Sequence, residues 1–381
     1  MNRSVLLGIA FLVLVLAGGT AAAYPQYQLS RDQTCTGCHL SPAGGGLLNE
    51  NGFASAETLS QLGTAPEFMN GLLPSPVWLT LGGDLRSAMG FIASPEKVLA
   101  YFPMQLELAA TAKFDAFSVH ATVGYPGREA PPVLSREHYV QWQQHADENT
   151  GLYVRAGRFL PVFGLRYVEH PTYTRRYGGT PLWGESYGLH VAYIDPKFEI
   201  HGTGFIEDPI VDPVVHGNGG ALYAEVRLTE KLLIGGEGML NRTDDDRKIR
   251  GGVVGKYYIE AAKLLLAAEV QYVKQKIDGI SAEDSPAQIV ASVIGTYTVN
   301  DFVQIDLGIG TFDNDLNLQH NHRDAIDLNA RYTLTSHFEM QLNARYEAFA
   351  FGKDFGAGDD GVSPDGGKSG GYALLQLHYR L

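Results

Sequence analysis

From Val77 to the C-terminus, apolar and polar residues alternate in runs of about ten, each closed by a turn, which marks strands with one apolar and one polar face. In Phe338 to Glu347 one face reads Phe338, Met340, Leu342, Ala344 and Tyr346, and the other Glu339, Gln341, Asn343, Arg345 and Glu347. Sixteen such segments can be marked between residues 77 and 381. Tight turns such as Phe114-Asp115-Ala116, Asp195-Pro196-Lys197 and Val299-Asn300-Asp301 alternate with longer loops at 126–136, 160–184, 206–219 and 352–370. Short turns on one side, long loops on the other and an even strand count predict an all-β, antiparallel outer-membrane barrel of about 16 strands whose apolar face meets lipid. The last strand, Ala373, Leu375, Leu377, Tyr379 and Leu381 against Leu374, Gln376, His378 and Arg380, keeps the alternation to the end of the chain.

The start of the chain changes the picture. Arg3, an apolar core from Val5 to Leu16 and Ala21-Ala22-Ala23 read as a signal peptide over 1–23. Residues 24–76 then form a short plug and linker, and 77–381 the barrel. No later apolar run reaches the ~18 residues of a membrane helix. Composition agrees, with 45 Gly, 20 Tyr and 17 Phe at a mean hydropathy of −0.09. A net charge of −13 argues against nucleic acid as a partner and suits a surface facing cations.

The only two cysteines lie in Cys35-Thr36-Gly37-Cys38-His39, the attachment signature of a c-type haem. The thiols would form thioethers to one haem c, and His39 would be the proximal iron ligand. A disulfide, a redox dithiol or part of a zinc site are the competing readings; only zinc would use His39, but it would want a fourth ligand and no other cysteine exists in the chain. Pro42 follows at a spacing that resembles haem-binding cytochromes, in which a proline carbonyl accepts the Nδ1 proton of the proximal histidine. Residues 24–76 are too few to bury a haem alone, which places the segment in the lumen or at the periplasmic mouth.

The exported start, the segment Arg31 to His39 and the barrel after it resemble the fused outer-membrane cytochrome-porins, a family best known for iron oxidases. The resemblance implies Cys35, Cys38 and His39 as haem-holding residues and electron transfer across the outer membrane, with Fe(II) as first donor and a periplasmic cytochrome or other carrier as partner. The Gly44-Gly45-Gly46 run departs from the family's pattern. The alternative is a general diffusion porin whose Cys35 to His39 segment is structural or a redox gate. A haem enzyme would need an open iron position with acid–base groups, and nothing in the sequence marks one.

The sixth iron ligand is the open choice. The 160–184 loop, which narrows the lumen in sixteen-stranded porins, offers His170, and the linker offers Met69. Arg166, Arg175 and Arg176 on the same loop are candidates for pairing with haem propionates. Strand phase turns His120, His190 and His201 inward near the periplasmic end, and sets Met104 with Leu106 and Leu108 toward lipid.

Overall fold

The computed structural model describes residues 26–93, 97–125, 127, 133–145, 150–167, 169, 171–209, 217–244, 246–279, 281, 285–318, 321–351 and 370–381. The expected signal peptide and His170 lie outside them. Sixteen strands are present: β1 (Leu79–Ala93), β2 (Lys97–Phe114), β3 (Phe117–Tyr125), β4 (His138–His145), β5 (Gly151–Phe159), β6 (Ser186–Ile194), β7 (Phe198–Ile206) and β8 (Asn218–Thr229) in the first half. The second half adds β9 (Leu232–Arg242), β10 (Asp246–Ile259), β11 (Leu264–Ile277), β12 (Ala287–Asn300), β13 (Val303–Asp313), β14 (Asn321–Thr335), β15 (Phe338–Phe351) and β16 (Gly370–Arg380). Each strand pairs with its neighbours in sequence, and β1 closes on β16 with Asp84 opposite Arg380. Closure leaves no unpaired edge, the condition for a sheet to cross lipid.

The alternation decides the faces. Leu106, Leu108, Val119, Val123 and Ile200 point outward at 45–53% exposure, while Glu107, Ser118, His120 and His201 are buried in the lumen. An apolar outer surface of this extent needs lipid, and aromatic residues mark its rim. At the tight-turn end Trp78 stacks on Phe114 at 6.3 Å and Tyr193 meets Phe198 at 5.4 Å. Phe91, Tyr101, Tyr272 and Tyr346 stand exposed toward the other end. This is the fold of an outer-membrane barrel, with the tight-turn end periplasmic.

One phase assignment is corrected. Strand β2 begins at Lys97 rather than near 102, and its register slips where Arg86 pairs with Gln105 and Ser87 with Pro103. Met104 is the extra residue of that bulge and lines the lumen cavity instead of facing lipid.

Ahead of β1, helix α1 (Gln26–Ser30), the 3₁₀ turn Cys35–Gly37 and helix α2 (Glu50–Thr58) form a plug at the periplasmic end. Its contacts run round the wall. Gln141 on β4 donates to the Leu40 carbonyl, Arg227 on β8 pairs with Asp32, and Gln304 on β13 reaches the Tyr27 hydroxyl. The backbone amides of Gln61 and Leu62 donate to the carbonyls of Thr333 and Leu334 at the end of β14. Between β5 and β6 the long loop folds inward, as expected, with a single helical turn α3 (Tyr173–Arg176). Plug and loop share one apolar cluster with the wall: Leu29, Val162 and Leu165 pack on Leu233, Val254, Leu265 and Ala267. Those wall positions are apolar on the inner face because they meet protein, not water.

Candidate functional site

The Cys35–Gly37 turn is built by short-range bonds. Thr34 caps it by accepting from the Gly37 amide at 3.2 Å, and the His39 amide donates back to the Cys35 carbonyl at 3.0 Å. Asn49 clamps the turn to α2: its side-chain amide donates to the Thr36 carbonyl at 2.7 Å and its carbonyl caps the helix at Gly52. Gly52 is required there, because a Cβ would stand 2.1 Å from the Cys38 carbonyl oxygen. Three consecutive residues with positive φ, Gly44, Gly45 and Gly46, bend the chain back so that His39 bridges Leu48.

Both cysteines carry free thiols. Burial pushes Cys35 up to about 11 and raises Cys38 as well, so neither is a thiolate at neutral pH. Burial lowers His39 to about 4, which keeps the ring in the neutral form that ligates metals. The His39 Nδ1 is buried without a hydrogen-bond partner. The carbonyls beside the ring belong to Gly45 and Gly46, not to Pro42 as the spacing had suggested.

Cys35 opens onto a cavity of about 600 Å³ that runs up the lumen between the plug, the β1–β3 wall and the inward loop. Cys38 and His39 line a second space of about 70 Å³, bordered by Tyr27, Arg31 and Arg331, that Cys35 also touches. Gly45 and Gly46 lie against the His39 ring and also line the large cavity, so the glycine loop is the partition between them.

Of the three loop arginines, Arg166 and Arg175 line the large cavity and Arg176 does not. Arg166 lies beside Cys35, pairs with Glu199, stands 3.8 Å from Glu225 and sits over the Tyr223 ring at 5.1 Å; the two carboxylates hold its charge against the cost of burial. Arg175 donates to the carbonyls of Tyr167 at 2.8 Å and Thr180 at 3.1 Å. Arg176 pairs with Glu347 at 3.3 Å away from the plug. Met69 sits in a 3₁₀ turn, Phe68–Gly71, outside both cavities, and His170 falls outside the described residues. His190 and His201 are buried against each other, Nε2 to Nδ1 at 3.1 Å, and line neither cavity. His120 lines the large one.

Sequence reasoning missed the polar groups that hold the plug. Arg155, 1% exposed, donates to Ser41 at 3.3 Å and lies over Tyr139 and Phe159. Lys256 bridges Gln28 of the plug at 2.7 Å and Glu225 of the wall at 2.6 Å. The signal was present, since both charges occupy inward phase on strands whose neighbouring inward positions are apolar near the periplasmic end.

A covalent haem, implied by the sequence motif, fits the chemistry of this site. Two unbridged thiols and an imidazole with an orphaned nitrogen share one turn, and the adjoining cavity lies within the ~300–1,000 Å³ typical of cofactor pockets.

No known family model matches the chain, and no curated protein is significantly similar to it. Solved structures share the fold. OmpT of Vibrio cholerae is 13% identical with a TM-score of 0.57, over 81% of this chain and 99% of that one. The anion-selective porin from Comamonas acidovorans is 13% identical with a TM-score of 0.58, over 80% and 99%. OmpF of Salmonella typhi, solved with daunomycin, is 12% identical with a TM-score of 0.58, over 80% and 97%.

Proposed function

We propose that this chain carries one covalent haem c on its lumenal plug and passes electrons between a periplasmic carrier and a donor or acceptor outside the cell, Fe(II) being the first candidate donor. The observation that carries the reading is the placement of Cys35, Cys38 and His39. A turn that carries the haem-attachment signature and two free thiols lies inside a barrel, beside a cavity and two lumenal arginines. Cys35 and Cys38 would supply the thioethers, and His39, kept neutral by burial, the proximal ligand. Arg166 and Arg175 offer guanidinium donors for propionates. The bound group would supply one-electron redox chemistry; the protein tunes it through ligation, burial and charge. The plug meanwhile bonds to β4, β8, β13 and β14 across the tight-turn end, an arrangement that serves an electron path better than a solute path.

The second reading is a diffusion porin, favoured by the inward loop and by the porins and channels that share the fold. In that case the Cys35 to His39 turn is structural or a redox gate. Expression with a c-type maturation system separates the two. The first reading expects a denatured, membrane-extracted band that stains for haem and loses the stain in Cys35→Ser and Cys38→Ser; a wild-type band that never stains supports the porin.

A further inference from the structure

We infer that the linker between plug and barrel is a lipid anchor, which leaves the lumen over the β14–β15 turn and sets Leu72, Leu73 and Val77 into the periplasmic leaflet of the outer membrane. The anchor would act in the same way whether or not the plug carries a haem.

The chain can be followed from inside to outside. Thr64 Oγ1 lies 3.0 Å from Ser336 Oγ, the Ala65 carbonyl lies 3.2 Å from His337 Nε2, and Pro66 still lines the lumen cavity. Four residues on, Asn70 donates to the Tyr379 hydroxyl at 3.1 Å. Tyr379 belongs to the outward row of β16: its neighbours His378 and Arg380 reach inward to Asp84, and it stands opposite Leu85 and Phe338. Phe338 carries the mark of the crossing. It shares the outward phase of the exposed Leu342 and Tyr346 but is itself 2% exposed, so protein covers it on the outside of the wall. The linker segment bonded to Ser336, His337 and Tyr379 is the chain in position to do so.

Beyond the crossing the chain is apolar and turned outward. Residues Phe68 to Gly83 include no charged side chain. Met69, Asn70 and Gly71 run at φ of 51°, 56° and 76°, a left-handed turn that a methionine adopts only where its neighbours are held. After it Leu72 is 76% and Val77 97% exposed, with Leu73 exposed between them. This patch continues the lipid-facing wall on both sides. Tyr379 precedes it, and Trp78, exposed and stacked on Phe114 at the aromatic rim, follows it. Tyrosine and tryptophan take the headgroup level of a membrane, which puts the leucines between them at the same depth. The backbone suits that depth. Pro74 and Pro76 have no amide, and the amides of Asn70, Leu72 and Leu79 donate to the carbonyls of Glu67, Met69 and Pro76, so fewer donors have to leave water. Acyl chains ask for no charge in return, whereas a charged protein surface would find none here to pair with.

The test reconstitutes the purified full chain in phosphatidylethanolamine and phosphatidylglycerol vesicles that contain a phosphatidylcholine with a diazirine near the start of one acyl chain. After illumination, peptide mass mapping reads lipid adducts on residues 68–76, short of β1. The β3 segment Phe117–Tyr125 serves as the lipid-facing reference and α2 as the lumenal one. The expected result is labelling of 68–76 comparable with β3, and none on α2. The double variant Leu72→Asp, Leu73→Asp should lose labelling on 68–76 roughly tenfold, because a carboxylate is excluded from acyl chains, with β3 labelled as before and heat-modifiable migration unchanged. Background labelling of 68–76 in the wild type beside full labelling of β3 overturns the assignment. Protection of that segment from hydrogen exchange that rises with protein concentration would then give the patch to a second copy of the chain.

Discussion

Replacing Lys256 by Met should release the plug from the barrel. Lys256 Nζ lies 2.6 Å from Glu225 and 2.7 Å from Gln28, and the side chains of Lys256 and Glu225 are 1% and 3% exposed. Removing one partner of a buried pair costs about 3–5 kcal/mol, because the other charge is left without compensation. Here Glu225 keeps Tyr223 at 2.6 Å, Gln28 at 2.9 Å and Arg166 at 3.8 Å, so the lower end applies. When the plug leaves, water reaches Glu225 and the penalty disappears, so the cost falls on plug docking and not on the strand ladder. About 3 kcal/mol at 1.4 kcal/mol per tenfold raises the undocked population roughly 100-fold. Amide hydrogen exchange over residues 26–60 in the detergent-solubilised protein reads this directly. Lys231→Met is the control: its pair with Glu260 is 34% and 72% exposed and should contribute little. Exchange in Lys256→Met within twofold of wild type, with the barrel intact, would refute the docking argument.

Three further outcomes follow from the same contacts. Gly52→Ala drives a methyl into the Cys38 carbonyl and should displace the turn from α2, cutting haem staining of the matured protein severalfold while heat-modifiable barrel migration persists. Burial raises the Glu169 carboxyl above its ordinary range, with Asp306 adding to the rise against the attraction of Arg331. The unfolded carboxylate ionises first, so the stability Glu169 lends the inward loop is full at low pH and is lost as pH rises from the ordinary carboxylate range through the raised value. Glu169→Gln should flatten that dependence in exchange measurements over 160–184. Epitope tags placed within 126–136 and 352–370 should be reachable on intact cells and one at Asn300 should not, as the tight-turn orientation requires.

The barrel was legible because lipid and lumen impose opposite polarity on alternate residues, so sixteen strands and their facing could be marked from Val77 onward. Met104 escaped because a bulge opposite Arg86 and Ser87 leaves no trace in an apolar–polar count. The plug's docking surface left a trace that was open to reading: Leu264-Leu265-Leu266-Ala267-Ala268 is apolar on both faces, as a strand must be where lipid lies outside and protein inside. The motif located Cys35, Cys38 and His39, but spacing alone could not say that Gly45 and Gly46, rather than Pro42, would lie against the ring. Nor could loop position separate Arg166 from Arg176, because which of them reaches the cavity depends on how the loop crosses to β7 and β15.

The central claim is that electrons, not solutes, cross this barrel by way of Cys35, Cys38 and His39. Matured protein reconstituted in liposomes that hold a redox dye and a small fluorescent solute tests both at once. The account predicts dye reduction by an impermeant external reductant, abolished in Cys35→Ser, with the solute retained. Solute loss with no Cys35-dependent dye reduction would contradict it.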